Sequence, residues 1–275
     1  MKLSILPCSL FPELIGDQMS IAEWLTMAKG FGFDGADISM SFVKAHSAKA
    51  MRELRESLDA VDIERVMICT YPDFTNPDPK QRERELAYFC TDIATCAQLG
   101  FKYVRTLAGQ NHPGVKMEDM IVWATECIRE AAKFADSQGI TLCFEDHAKP
   151  GAWDYIDVTF DPQVFLKILD GLRDTSVRVN FDLGNITAFG LNPIDIMDKC
   201  LDKIETIHVS DMVALGTLQP VLLGTGACPI RESIHWLAEK GWDKWLCIEE
   251  CSNKGPEGIR LAGEYVRGIM EELHG

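Results

Sequence analysis

Residues 103–147 read YVRTLAGQNHPGVKMEDMIVWATECIREAAKFADSQGITLCFEDH and hold one full period of the pattern that organises the chain. An apolar run at 103–109 leads to an amphipathic segment in which Ile121, Ala124, Ile128, Ala132 and Ala135 recur at helical spacing. Gly139 stops that helix, and a second apolar run follows at 141–147. Outward from this unit, like runs stand at 3–9, 34–39, 65–71, 177–184, 204–209 and 245–251, which makes eight. Their starts lie about 30 to 40 residues apart, the length of a strand with its returning helix.

The segments between the runs carry helix punctuation. Over 81–100, Leu86, Phe89, Cys90, Ile93, Ala94 and Ala97 share one face, and Gly100 closes the segment. Asp161-Pro162 and Asn192-Pro193 are N-cap and first-turn pairs. Near-continuous apolar strands imply a parallel sheet covered by helices on its faces. Eight of them in 275 residues predict an α/β fold, a closed (β/α)8 TIM barrel forming a single domain over 1–275. An open doubly wound sheet would carry a Gly-rich phosphate turn after its first strand, and LPCSLFPE has none.

Composition narrows the function. Lys and Arg number 27 against 42 Asp and Glu, a formal charge of −15. That balance argues against nucleic acid or an anionic membrane surface as partner. The longest uncharged run, 212–230, is broken by Gly216, Pro220, Gly224, Gly226 and Pro229, and reads as a loop rather than a membrane span. The N-terminal stretch is interrupted by Pro7, Pro12 and Glu13 and reads as strand and loop rather than a signal peptide. Ten cysteines without a C-x-x-C pair read as reduced thiols of a cytoplasmic protein.

The last four runs each end in a metal-ligand type. TLCFEDH delivers Glu145, RVNFDLGN Asp182, ETIHVSD His208 and WLCIEEC Glu249. In a (β/α)8 barrel, strand C-termini ring the active site, so these four are expected at equivalent heights around one mouth. Three buried carboxylates would repel one another and resist desolvation, and a divalent cation relieves both penalties. Three carboxylates with one imidazole make a hard, mostly oxygen donor set, suited to Mn²⁺ above all, and also to Mg²⁺, Co²⁺ or Zn²⁺.

These motifs resemble the xylose isomerase-like barrel superfamily, in particular its sugar isomerases and ketose 3-epimerases. FEDH corresponds to a Glu-Asn-His pattern, NFDLGN to Phe-Asp-x-Gly-His/Asn, IHVSD to His-x-x-Asp and WLCIEE to Ile-Glu-Glu. LGTGACPIRESIHWLAEKGW is similar to the Gly-x-Gly loop and helix before the last strand of that superfamily. The resemblance spans nearly the whole chain and is densest over 145–251. It implies that Glu145, Asp182, His208 and Glu249 bind the metal and that Glu145 and Glu249 transfer protons. The implied activity is isomerisation or epimerisation of a keto sugar through a metal-stabilised enediolate. A lyase acting on a sugar-derived keto acid, by dehydration or decarboxylation, is the alternative on the same ligands.

Two positions depart from the ketose-epimerase pattern. Asn185 stands where a His follows the strand-six Asp by three residues, and Ala214 where an Arg follows the strand-seven His by six. The apurinic-site endonucleases of the superfamily need further His ligands and a basic groove. Six histidines (His46, His112, His147, His208, His235 and His274) and the acidic balance disfavour that chemistry.

Arg105, His147 and Asn185 are the candidate substrate-binding residues, and Trp24, Phe74 and Trp153 candidate pocket walls. Few basic residues stand at the strand ends apart from Arg105 and Lys149, which favours an unphosphorylated small sugar or sugar acid. Leu261, Tyr265, Val266, Ile269 and Met270 on the last helix are expected to cover the barrel, a homo-oligomer being the other use for that face.

Overall fold

A computed structural model describes residues 1–273, so His274 and Gly275, the last two of the expected domain, lie outside the described residues. Its eight strands are β1 (Lys2–Leu6), β2 (Gly35–Ser39), β3 (Glu64–Cys69), β4 (Tyr103–Thr106), β5 (Thr141–Glu145), β6 (Arg178–Asp182), β7 (Ile204–Val209) and β8 (Trp245–Glu249). Two short helices, α1 (Phe11–Ile15) and α2 (Ile21–Gly30), follow β1. The remaining helices are α3 (Ala48–Asp59), α4 (Pro79–Leu99), α5 (Met117–Gln138), α6 (Pro162–Asp170), α7 (Leu183–Phe189), α8 (Pro193–Cys200), α9 (Ile230–Glu239) and α10 (Gly255–Glu272). All strand pairs are parallel, in the order β1-β8-β7-β6-β5-β4-β3-β2. The chain is a nearly closed, single-domain TIM barrel.

Local chemistry explains the element boundaries. Gly100 and Gly139 end α4 and α5 in the left-handed region, at φ 77° and 69°, where a Cβ would be strained. The side chains of Asp161 and Asn192 cap α6 and α8 by accepting from the N–H groups of Gln163 and Ile194, with proline following each cap. Residues 210–229 form the loop from β7 to α9, and among the described residues no helix is long and apolar enough to cross a membrane. No disulfide joins the ten cysteines.

Alternation along the strands sorts side chains between two environments. Leu142, Phe144, Val179, Phe181, Ile207, Val209, Leu246 and Ile248 face outward into the main core beneath the helices. There Phe144 stacks on Phe165 of α6, with ring centroids 5.3 Å apart. Val266 and Ile269 of α10 are buried in the same layer, and Tyr265 and Met270 pack against it. The residues between them point into the barrel. Leu6, Val66, Met67, Cys69, Cys143, Trp245 and Cys247 make a second, smaller cluster there. By the same alternation Glu145, Asp182, His208 and Glu249 face the barrel axis.

The seam between β1 and β2 is closed mainly by side chains. Asp34 donates its N–H to the Leu3 carbonyl, and its carboxylate accepts the Leu3 N–H. Ser4 donates to the Asp37 carboxylate at 3.3 Å, and the Trp24 indole donates to the Asp37 carbonyl at 3.0 Å. Trp24 is therefore an outer-layer residue of α2 and not a pocket wall. Phe74, edge-on to Phe89 of α4, is likewise core.

The barrel floor is tightly filled. A Cβ on Gly35 would lie 2.3 Å from a Val66 methyl and 2.9 Å from the Trp245 ring. Gly35→Ala is accordingly expected to cost about 1–3 kcal/mol by overpacking, read as a lower urea midpoint with an unchanged circular dichroism spectrum.

Candidate metal centre

The barrel's shear staggers the four acidic and imidazole side chains more than their order along the chain suggests. Glu145 sits in register with Asn180, and Asp182 stands two residues higher on β6. Asp182 and His208 are level, whereas His208 is in register with Cys247, so Glu249 is again two residues higher. Three of the four side chains nevertheless converge. Glu145, Asp182 and His208 each bring one ligand atom within 4.8 Å of the others. Around His208 Nδ1, Glu145 Oε1 lies at 2.6 Å, and Asp182 Oδ2 and Glu249 Oε1 each at 4.0 Å. Metal–ligand bonds of about 2.0–2.2 Å put ligand atoms up to roughly 4.4 Å apart, which is the scale of this cluster.

The residues fit a cation on further grounds. Asp182 Oδ2 and both ring nitrogens of His208 are buried without a hydrogen-bond partner, Nδ1 being close to Glu145 but out of line for a hydrogen bond. Such groups are costly unless something satisfies them. Burial, then the Glu249 and Glu145 charges, raise Asp182 to about 8. For His208, burial works against the charged form, but Glu145 outweighs it and the imidazole is raised well above its ordinary value. Both groups carry a field of negative charge that a divalent ion would neutralise.

Neighbouring residues hold each of these groups in place. Arg105 of β4 is fully buried and donates from Nη1 to Glu145 Oε2 at 2.6 Å and from Nη2 to the Thr70 carbonyl at 3.0 Å. Its guanidinium also lies 4.6 Å from the Tyr71 ring centroid. Burial alone would raise Glu145, but Arg105, followed by His208, holds it below the usual carboxylate range. Asn180 Nδ2 donates to Glu145 Oε1 at 2.6 Å, and Asn180 Oδ1 accepts from Thr206 at 2.7 Å. Asp182 Oδ1 accepts from Ser210 Oγ at 2.8 Å and from the Asn185 N–H at 2.9 Å.

Arg105 thus has a partner that the sequence did not disclose, the buried Glu145 carboxylate. Asn185 spends its backbone N–H on Asp182 and its side-chain amide on the Asp146 carbonyl at 3.0 Å, while still bordering the cavity. His147 lines the same cavity, its Nδ1 lying 3.6 Å from Asp157 Oδ2 and its ring edge-on to Trp153 at 6.4 Å. Ala214 is exposed in the β7–α9 loop.

Asn180, Thr206 and Ser210 were not singled out from the sequence. Their signal was alternation, since Asn180 and Thr206 lie two residues before Asp182 and His208 on the same inward faces. Asp211, the last residue of IHVSD, organises the loop beyond β7. Its carboxylate accepts the backbone N–H groups of Met212, Gly224, Gly226 and Cys228. A Cβ on Gly226 would lie 2.4 Å from Asp211 Oδ1, which accounts for the Gly-x-Gly spacing of this loop.

With the geometry in place, comparison with known proteins identifies the lineage. The sequence family described as xylose isomerase-like TIM barrel matches residues 25–269. The chain belongs to that family. No curated protein matches it. Among solved structures, a D-tagatose 3-epimerase-like protein superposes with a TM-score of 0.79 at 17% identity, covering 100% of this chain and 98% of that one. The IOLI protein, solved with a bound zinc atom, gives 0.81 at 19% identity, with 99% of each chain covered. The probable 3-DHS dehydratase AsbF of Bacillus anthracis gives 0.77 at 16%, covering 97% of this chain and 99% of that one. This xylose isomerase-like chain therefore shares its barrel with proteins of several chemistries.

Gly184 offers a test of the cradle. A Cβ there would fall 2.1 Å from Ser210 Oγ, the hydroxyl that holds Asp182. Gly184→Ala is expected to weaken Mn²⁺ binding by about 10- to 100-fold, the usual cost of disturbing a ligand's support, as measured by titration calorimetry.

Proposed function

We propose that this protein is a divalent-metal-dependent isomerase or epimerase of a keto sugar, with Glu145, Asp182, His208 and Glu249 as metal ligands and Mn²⁺ the favoured ion. The convergence of Asp182, Glu145 and Glu249 on His208 Nδ1, with buried polar atoms left without partners, is the observation that carries this reading. The kinship with D-tagatose 3-epimerase-like and L-ribulose 3-epimerase structures supports it, as does the zinc atom in the IOLI protein. A divalent ion bound there would polarise the substrate carbonyl and stabilise the enediolate that forms when the adjacent C–H is lost.

The chain's own residues supply the rest. Glu249 is 19% exposed, borders the cavity and accepts no hydrogen bond from any described residue, so it is free to take the proton. Glu145 arises three strands away and stands as the second group of the pair. Asn180 and Arg105 fix its carboxylate and Arg105 holds it anionic, so Glu145 has to take up a proton from solvent before it can return one to the substrate. Proton return from the opposite face gives epimerisation, and return at the neighbouring carbon gives isomerisation. His147 and Asn185, on the cavity wall, would position substrate hydroxyls.

Incubation of the Mn²⁺-loaded protein with a panel of keto sugars and keto acids in D₂O, followed by NMR, tests this reading. Deuterium is expected at the carbon beside a ketone. Release of water or CO₂ instead would assign the lyase chemistry that the dehydratase kinship keeps in view. No metal-dependent exchange or release with any member of the panel would overturn the metal-enzyme reading. Glu249→Gln is expected to lower the exchange rate by about 10²- to 10⁴-fold while largely retaining the metal; full exchange in this variant would remove Glu249 from proton transfer.

A further inference from the structure

Of the ten cysteines, Cys8 and Cys251 are the two that line the cavity at the strand ends. Both are half-buried, so a small reagent entering the cavity reaches them. Six of the others are buried, and Cys90 and Cys127 stand on α4 and α5. Neither Cys8 nor Cys251 has a part in the proposed proton transfers.

The fold brings these two together from opposite ends of the chain. β1 pairs with β8 as far as Leu6 and Glu249. Beyond that pair the Glu250 N–H donates to the Leu6 carbonyl, and the Ser9 N–H donates to the Glu250 carbonyl at 2.9 Å. Cys8 and Cys251 adjoin the second of these bonds, so their backbones lie at about the spacing of neighbouring strands, roughly 5 Å. A disulfide needs its α-carbons roughly 4.4–6.8 Å apart. Their side chains meet, each thiol being a hydrogen-bond partner of the other.

Both cysteines are also held in place. Cys8 opens a short 3₁₀ turn, Cys8–Leu10, closed by the Leu10 N–H donating to the Pro7 carbonyl at 2.8 Å. On the other side, the buried Glu250 carboxylate accepts the N–H and the hydroxyl of Ser252, which anchors the segment carrying Cys251. The hydrogen bond with Cys251, followed by burial, pushes the Cys8 thiol well above its ordinary value. Cys8 is thereby a slow nucleophile at neutral pH.

We propose that Cys8 and Cys251 form a reversible dithiol–disulfide couple at the rim of the cavity, oxidised by low-molecular-weight disulfides such as glutathione disulfide. One cysteine sulfur attacks glutathione disulfide, expels one glutathione thiolate and leaves a mixed disulfide on the protein. The other cysteine sulfur then displaces the second glutathione and closes the Cys8–Cys251 bond. The protein gives up two hydrogens and two electrons, and glutathione disulfide is reduced to two molecules of glutathione. The bond needs neither metal nor sugar, so the inference stands apart from the metal-dependent reading of the site.

Incubation of the full chain with glutathione disulfide, followed by intact-mass measurement and non-reducing peptide mapping, tests it. The expected product is lighter by two hydrogens, has lost two of its ten thiols and links the peptides that contain Cys8 and Cys251. Dithiothreitol should restore the original mass. Since the bond would enclose nearly the whole chain, the oxidised protein is expected to unfold at a higher urea concentration than the reduced one. Cys8→Ser and Cys251→Ser, each with an unchanged circular dichroism spectrum, should form no internal link. A link between other cysteines, a glutathione adduct on the unsubstituted protein that never resolves, or no reaction would overturn the proposal. A lower urea midpoint after oxidation would do the same, because it would show that the bond does not fit the native fold.

Discussion

Charge balance in a dry barrel mouth governs the rest of this structure. Glu145, Asp182 and Glu249 bring three carboxylates to one imidazole, and among the described residues Arg105 is the cation buried with them. Asp182 and His208, both raised, hold protons that a divalent ion would displace; with both groups deprotonated, three carboxylates against Arg105 would leave two negative charges, matching such an ion. Arg105 thereby does more than hold Glu145. It sets the residual charge of the site and keeps that carboxylate from drifting toward a neutral, protonated state. Removing either partner of such a buried pair leaves an uncompensated charge, so Arg105 and Glu145 depend on each other more than their separation in the chain suggests.

Around that centre the barrel works as a set of graded supports. Glu145, Asp182, His208 and Glu249 stand on β5 to β8, whose outward faces are locked beneath the helices. Asn180, Thr206 and Ser210 occupy the inward positions between or beside them and spend their hydrogen bonds on ligand oxygens or on each other. The loops add a second tier. Asp211 ties the β7–α9 loop to the end of β7, and Asn185 links Asp182 to the Asp146 carbonyl. Asn185, one of the two departures from the ketose-epimerase pattern, therefore has structural work of its own. The other departure, Ala214, is an exposed loop residue.

The fold was legible because its signal repeats. Each apolar run and each glycine or cap pair, such as Gly139 after α5 or Asp161-Pro162 before α6, agreed with its neighbours. The inward placement of Glu145, Asp182, His208 and Glu249 was legible for a related reason, since each ends an apolar strand whose alternation sets its face. Register was not legible, because the stagger of Glu145 against Asp182 depends on barrel closure and not on local pattern. Nor was the Arg105–Glu145 pair, since the sequence places both at strand ends without saying which way a long guanidinium turns. Trp24 and Phe74 read as pocket walls only because an aromatic side chain looks the same in a core as in a cleft.

The unladdered seam between β1 and β2 has a mechanical consequence. Parallel backbone pairing runs unbroken from β2 round to β1 by way of β8, and the gap is crossed by Asp34 and Ser4. Glu145, Asp182, His208 and Glu249 stand on strands joined by continuous pairing, whereas α1, with Phe11 and Ile15, follows the strand beside the gap. A sheet with one unladdered seam would yield there first, so α1 would shift before the strands that carry the four side chains.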